Sequence, residues 1–554
     1  MTMSIAKLSP RSVFIVACVL VALCYLNSLP NDFVFDDGPI VASNPAIRSI
    51  SPIQFLKSPY WTQQQYLGIY RPFTVFSLSV DYALWQRWAP GFRITNLLLH
   101  ALNGFLLFLL CTSLVGEGII PIAAMIIYLA HPVHTEAVTS IVGRSELFSA
   151  CFFLTAWLLF RRGHTLLPAV LFFLALLSKE NAIVLPAVLL LDEVLTGFRE
   201  HPGEMLSRYS IMGAVALAYL ALRFFVLGGL GIPVAAQYMS GHLTYVERVM
   251  TSGRVFIEYL RLIFFPLNVA GDYDFNAIPI ASLRSWDAWL GLFLIVAIVV
   301  GTCFYQRKNK VVVLGILFAF LVFIPASNWI TPISVLMAER FLYLPLIGLS
   351  VAAAFIFNGI HDKNVRRWIG IGGLLTLIVL CNSHDYVRRN DFTFFGNMVR
   401  LEPNSAKARL GYGYALLQAG FKDDAAQQFE AGLRIIPDYP ELLTTLAMTK
   451  MTSTSCDEAW PLLRRALQVN PSQADTHRRM GDCYYKEGKT AEAEAMYRQA
   501  VEGIAYPDSM LYFMWGRSLE DKGDIRSAIT VYERATLIDP QNMLIKQKLS
   551  SLRP

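Results

Sequence analysis

Up to about residue 383 the chain alternates long apolar runs with short polar breaks. The runs fall at residues 12–29, 93–115, 119–131, 146–160, 165–177, 182–196, 209–227, 287–304, 311–328, 341–358 and 367–382. A helix rises ~1.5 Å per residue, so roughly 20 apolar residues cover a hydrocarbon layer of ~30 Å. The pattern predicts an all-α, polytopic membrane helix bundle of about 11 spans, several of them short. A twelfth stretch, 249–266, carries Arg254, Glu258 and Arg261 at helical spacing, which gathers three charges on one face. Charge within a bilayer is costly, so this segment reads as an interfacial or re-entrant helix. The pattern then changes. Pro403, Pro437, Pro471, Pro507 and Pro540 recur at intervals of 34, 34, 36 and 33 residues, a period that indicates stacked helix pairs.

Within that period a small residue, an Ala, an aromatic and a further small residue return in order. They are Gly413, Ala425, Phe429 and Gly432, then Gly481, Ala493, Tyr497 and Ala500, then Gly516, Ala528, Tyr532 and Ala535, with a weaker set at Ala447, Ala459, Leu463 and Ala466. This resembles the tetratricopeptide repeat, in which small residues let paired helices approach and the aromatic fills the gap. About four repeats form an α-solenoid whose concave groove suits a polypeptide. The expected division is 1–383 for the membrane domain, with loops 30–90 and 228–286, and 384–554 for the repeats.

Composition agrees with two solvents. Hydrophobic residues make up 55% of the 554-residue chain and charged residues 16%, against ~25% charged in typical soluble domains, which excludes a plain cytosolic enzyme. Residues 384–554 balance 22 acids against 22 bases, so the net charge of +6 lies in the front part, and a basic tail for nucleic acid is excluded. Six of the eight cysteines lie in apolar runs; Cys456 and Cys483 stand apart in the tail with no CxxC, so no disulfide framework is expected. Lys7 and Arg11 precede the first run, which reads as an uncleaved span with its N-terminus inside. Arg161-Arg162, Arg199, Arg208, Gln306 to Lys308 and Lys363 to Arg367 then fall inside, by the rule that cytoplasmic loops are rich in Lys and Arg. Residues 30–90, 131–145, 228–286, 329–340 and the whole tail are expected outside the cytoplasm, in the endoplasmic reticulum lumen or a bacterial periplasm.

That outer side collects the chemistry. Asp36-Asp37 follows the first span; two adjacent carboxylates raise each other's proton affinity, which suits a general base, and a helix cap or loop turn is the other reading. Tyr70-Arg71-Pro72 opens an aromatic run through Trp85 and Trp88 that suits the membrane interface and contact with lipid. The loop after the third span holds His131, His134, Glu136, Arg144 and Glu146; convergence of His131, His134 and Glu136 on a metal is one reading and chance helical spacing the other. Lys179-Glu180 and Glu339-Arg340 add two neighbouring acid–base pairs, readable singly as paired surface charge. Placed at one membrane face, carboxylates for a hydroxyl and cations for a phosphate are the set that glycosyl transfer from a lipid phosphate needs.

The ordered strings Phe35-Asp36-Asp37 with Asn44, Tyr70-Arg71-Pro72-Phe73-Thr74, Asn96-Leu97-Leu98-Leu99-His100, the His131–Leu147 loop, Ser178-Lys179-Glu180-Asn181 and Ala338 to Pro345, together with the repeats, resemble the transmembrane and tetratricopeptide-repeat O-mannosyltransferases of the C-type glycosyltransferase superfamily. Residues 228–286 match mainly at Pro266 and Asp272. The resemblance implies inverting transfer of mannose from a polyprenyl-phosphate sugar lipid to Ser or Thr of acceptor proteins. Asp36 is then the base with Asp37 supporting it, and Arg71, Arg144, Lys179 and Arg340 hold the donor phosphate. His131, His134, Glu136, Glu180, Glu339 and Asp272 support the site. No cofactor is required, and a divalent cation beside the acid pair stays open. A transferase acting on a lipid or glycan, or a membrane-anchored repeat scaffold without enzymatic activity, are the alternatives.

Overall fold

The computed structural model describes residues 9–552 apart from 49, 58–59, 61–67, 198–201, 230–242, 272, 274–276, 331, 334, 453–454 and 505–507. It is all-helical, with one isolated β-bridge, Tyr273 to Met337, and no strand among the described residues. Two compact units divide at Leu401 and Glu402.

In the first unit each expected apolar run lies largely within a helix: Pro10–Tyr25, Ala89–Val115, Ile119–Leu129, Arg144–Arg161, Leu166–Ser178, Leu185–Thr196, Pro202–Leu227, Trp286–Tyr305, Lys310–Phe323, Pro345–Asn358 and Lys363–Val387. Side-chain caps set several of the starts. Asn309 accepts from the Val311 and Val312 amides, and Asp362 accepts from those of Asn364 and Val365. Among the described residues six helices have the length and apolarity to cross a membrane, and a seventh arises if Ile119–Leu129 and Pro132–Thr139, bent by 49°, act as one span. The expectation of about 11 exceeds this count because Leu166–Ser178, Lys310–Ala326 and Pro345–Asn358 are shorter apolar helices. Leu185–Thr196 is shorter still and carries Asp192 and Glu193 near its end.

The helices pack through small residues. A Cβ on Gly291 would overlap the Gly253 carbonyl of Tyr245–Phe264, and one on Gly348 would overlap the Gly315 carbonyl of Lys310–Phe323. Such close backbone approach is how helices associate where burial from water supplies no drive. Tyr245–Phe264, the amphipathic helix expected at 249–266, begins with a capping box between Thr244 and Glu247. Its charges are paired: Arg254 with Asp287 at 2.6 Å and Arg261 with Glu258 at 2.7 Å.

Helix ends meet in two sets. At one end Arg161 binds Asp192 at 2.6 Å and Arg208 donates to the Gly163 carbonyl at 2.7 Å. At the other, residues 31–37, 71, 93, 136–146, 179–180, 339–340 and 385–391 are joined by the bonds described below.

The second unit is a row of helix pairs, Ala406–Gln418 with Lys422–Ile435, Pro440–Lys450 with Trp460–Val469, Ala474–Lys486 with Thr490–Glu502, and Ser509–Asp521 with Ile525–Ile538, followed by Met543–Leu552. A Cβ on Gly413, Gly481 or Gly516 would run into the ring of Phe429, Tyr497 or Tyr532, so each glycine makes room for the aromatic of its own pair. The apolar contacts form successive small cores along the row, as expected where each repeat packs only on its neighbours.

One expectation is overturned here. Cys456 and Cys483 are disulfide-bonded with their Cα atoms 5.7 Å apart. Cys456 lies on the connection between the second pair of helices and Cys483 on the first helix of the third, so the partners belong to neighbouring repeats and leave no short motif. Closing 27 residues of chain should stabilise the tail by about 3.5 kcal/mol on a chain-entropy model. Reductant should therefore lower the thermal midpoint of the repeats in the full chain, measured by circular dichroism. The Cys456→Ser/Cys483→Ser variant should start lower and ignore reductant.

Candidate functional site

The site starts from the turn after the first helix. Phe35 holds φ +56°, a left-handed conformation unusual for a residue with a side chain. It is followed by half-buried Asp36 and then by Asp37, which is 1% exposed. The Asp37 carboxylate accepts from the Ser140 hydroxyl at 3.2 Å and from the Ile141 and Val142 amides at 3.1 and 2.9 Å. Burial raises its pKa, while Arg93 and these three donors act in the other direction. Asp37 thus caps the turn Ile141–Gly143, and Asp36 stands beside that anchor. Arg93, 2% exposed, donates to the carbonyls of Asn31, Asp32 and Thr139 and ties the turn after the first helix to the stretch that follows Ile119–Leu129.

The cations follow. Arg71 forms a two-pronged pair with Glu180, Nε to Oε2 at 3.0 Å and Nη2 to Oε1 at 2.7 Å, and its guanidinium lies 5.4 Å from the centre of the Tyr60 ring. Lys179 pairs with Glu146 and lies over the Phe341 ring at 5.2 Å. Arg340 pairs with Glu136 through its side chain, and its backbone amide donates to the same carboxylate at 2.8 Å. Arg144 pairs with Asp81 at 2.5 Å and donates to the carbonyls of Ser77 and Phe92. The neighbours Lys179 and Glu180, and Glu339 and Arg340, are each bonded to other elements of the chain.

These groups share one electrostatic neighbourhood. Asp36, Asp37, Arg71 and Arg144 all act on the Tyr60 hydroxyl, whose pKa burial drives up. Burial, with Arg71 and Arg340 nearby, pushes the Lys179 ammonium well below its ordinary value. For Glu180 burial works upward, yet Arg71, Arg223 and Lys179 outweigh it and hold the carboxylate well below the usual range. Of the four expected phosphate holders, Arg71 and Arg340 keep side-chain exposures of 14% and 24%, while Lys179 and Arg144 are at 2% and 0%. The first two can meet a ligand as they stand. Lys179 and Arg144 hold other protein groups.

The histidines do not converge with Glu136. His131 bonds the Ile263 carbonyl at 3.1 Å and accepts from the Val133 amide at 3.3 Å. His134 is packed against Tyr128 and Tyr343 at ring distances of 4.7 and 4.8 Å. Among the described residues no three His, Cys, Asp or Glu side chains are grouped to hold a metal ion. Asp272 lies outside the described residues. Sequence reasoning missed Arg93, Asp81, Arg388 and Asp391. Arg93 and Asp81 had a signal, a charge within an otherwise apolar helix, which must find a partner.

Glu339 is fully buried and accepts from the Gly271 amide at 3.0 Å and the Tyr273 hydroxyl at 2.9 Å, with Arg388 at 3.6 Å. Burial and the Glu136 carboxylate push its pKa up to about 7, against the pull of Arg388. The folded chain keeps this proton up to about pH 7, whereas the unfolded chain releases it near its ordinary 4.5. Between those values the folded state binds more protons, so this group's contribution falls as pH rises and the loss is complete above about pH 7. The Glu339→Gln variant, which keeps an acceptor, should therefore gain in thermal midpoint relative to wild type between pH 5 and pH 8. An unchanged difference would remove Glu339 as the titrating group.

Comparison with known proteins extends this picture. Residues 395–440, 455–503 and 511–542 match models of the tetratricopeptide repeat. The chain is 27% identical over 443 residues to "Protein O-mannosyl-transferase F38B6.6" of Caenorhabditis elegans, covering 75% of this chain and 62% of that protein. It is 24% identical to human "Protein O-mannosyl-transferase TMTC3", covering 97% and 65%, and 26% identical to human "Protein O-mannosyl-transferase TMTC4", covering 76% and 65%. The chain thus spans just under two thirds of the length of each. A thermophilic repeat protein of Thermus thermophilus, TTC0263, is 18% identical and matches 32% of this chain and 94% of its own at a TM-score of 0.26. The kinship expected from the ordered strings and the repeats is borne out.

Proposed function

The chain is a sequence relative of the transmembrane and tetratricopeptide-repeat O-mannosyltransferases, and from that premise we propose that it transfers mannose from a polyprenyl-phosphate carrier to Ser or Thr of proteins on the non-cytoplasmic side of a membrane. The observation that supports the reading is that the partly exposed Arg71 guanidinium lies over the Tyr60 ring at 5.4 Å while the Asp36 carboxylate acts on the hydroxyl of the same tyrosine.

In this mechanism the Asp36 carboxylate takes the proton of the acceptor hydroxyl. The oxygen attacks the anomeric carbon from the face opposite the phosphate. The bond from that carbon to the phosphate oxygen breaks, its electron pair leaves with the lipid phosphate, and the configuration inverts. Arg71 and Arg340 hold the leaving phosphate by charge-assisted bonds that strengthen as negative charge grows there. Glu180 and Glu136 hold those two side chains in place beforehand, which lowers the ordering cost of binding. Lys179 and Arg144 act as positioning residues, through Glu146 and Asp81. Asp37 supports Asp36 from the adjoining position. The repeats present the acceptor polypeptide, and the Cys456–Cys483 bond supports an oxidising compartment for them, the lumen or the periplasm.

The test uses the full chain in detergent, a labelled polyprenyl-phosphate mannose and a pool of secreted proteins. Base catalysis contributes ~10²–10⁴ in rate, so Asp36→Asn should lose at least two orders of magnitude while its thermal midpoint stays near wild type. Equal labelling by both proteins would keep the transferase and discard Asp36 as base. No labelling by either, with other lipid-linked sugars and acceptors also inert, would favour the scaffold.

A further inference from the structure

We infer that Asp391 is a positioning residue for Asp36, acting through the backbone of Phe35; this rests on the reading of Asp36 as the base. The left-handed Phe35 must be held by its surroundings, since a residue with a Cβ does not stay there unaided. Its amide donates to the Asp391 carboxylate at 2.8 Å. Its ring packs against Phe394 at 5.8 Å and Phe395 at 5.7 Å, so three residues of the helix Asp391–Leu401 grip it. The preceding turn is docked on the same stretch: the Asp32 amide donates to the Arg389 carbonyl at 2.9 Å, and the Asn31 side chain to that of Asp385 at 3.1 Å.

Asp36 therefore sits between two fixed points. Phe35 is pinned on one side by Asp391, and Asp37 is pinned on the other by Ser140, Ile141 and Val142. Releasing the Phe35 amide frees the turn to leave the left-handed region, which rotates the next residue's carboxylate away from where the hydroxyl must be met. A displacement of about 1 Å at a reacting group costs on the order of 10²-fold in rate. Donor phosphate contacts come from Arg71 and Arg340, on other elements, so they should be little affected. Asp391 is thus expected to govern turnover and leave donor affinity alone.

The experiment compares Asp391→Asn, Asp391→Glu and Asp391→Ala in the full chain, each with kcat, donor KM and thermal midpoint. Asparagine keeps an acceptor oxygen at the same reach and loses the charge; glutamate keeps the charge and displaces the oxygen. Expected are kcat within roughly 3-fold of wild type for Asn, and at least 10-fold losses for Glu and Ala with donor KM within about 3-fold. A wild-type kcat for Ala, or for Glu should Ala fail to fold, would overturn the proposal. So would a loss in Asn as large as that in Glu, since charge rather than acceptor geometry would then matter. If Asp36→Asn is inactive while Asp391→Glu and Asp391→Ala are fully active, only this proposal fails; if Asp36→Asn keeps its activity, the parent reading fails with it.

Discussion

A charged side chain removed from water must find a partner, and the first unit depends on how that demand is met. Lys179 and Glu146, Arg144 and Asp81, Arg340 and Glu136, and Arg71 and Glu180 are charge pairs at one end of the helix bundle, and each joins different elements of the chain. For the two buried pairs, Lys179–Glu146 and Arg144–Asp81, removing one partner leaves an uncompensated charge in a medium that cannot solvate it, which costs far more than the pair itself contributes. The pairs therefore specify which helix ends meet. Arg93 extends the same principle to backbone carbonyls, drawing Asn31, Asp32 and Thr139 onto one guanidinium.

The same economy shapes the site. Groups buried outright bind other protein groups, as Arg144 binds Asp81 and two carbonyls and the Asp37 carboxylate binds Ser140, Ile141 and Val142. Groups left partly open, Asp36, Arg71 and Arg340, can exchange a protein contact for a ligand contact. The proposed transfer assigns its chemistry to the second class and its geometry to the first. Arg71 and Arg340 are each already oriented by a carboxylate, so a phosphate meets preformed donors rather than free side chains.

Much of this was legible in the sequence, for identifiable reasons. Helices follow from apolar runs, and the repeats follow from a period near 34 residues with glycine facing an aromatic, as at Gly481 and Tyr497. Span count was less legible because hydropathy marks a run as apolar without fixing whether the helix, such as Leu166–Ser178, is long enough to cross. Pairing was legible only as a requirement. Adjacent Lys179 and Glu180 suggested a local pair, but partner choice depends on which helix ends are brought together, and that is a property of the packed bundle. The Cys456–Cys483 bond was hidden for the same reason, since its halves lie on successive repeats. Asp391 carried no signal at all: a single carboxylate after a helix reveals nothing of an amide that precedes it by 356 residues.

Crossed charge pairs hold the site end of the bundle together, and a double-mutant cycle on Lys179 and Glu146 puts that dependence to the test. The thermal and denaturant stability of the full chain would be measured for Lys179→Met, Glu146→Leu and the double variant. Each single substitution should cost ~3–5 kcal/mol by stranding the other charge, and the double variant should recover most of that loss. Additive losses in the double variant would mean that the two side chains do not depend on one another and that crossed charge does not hold this end of the bundle together.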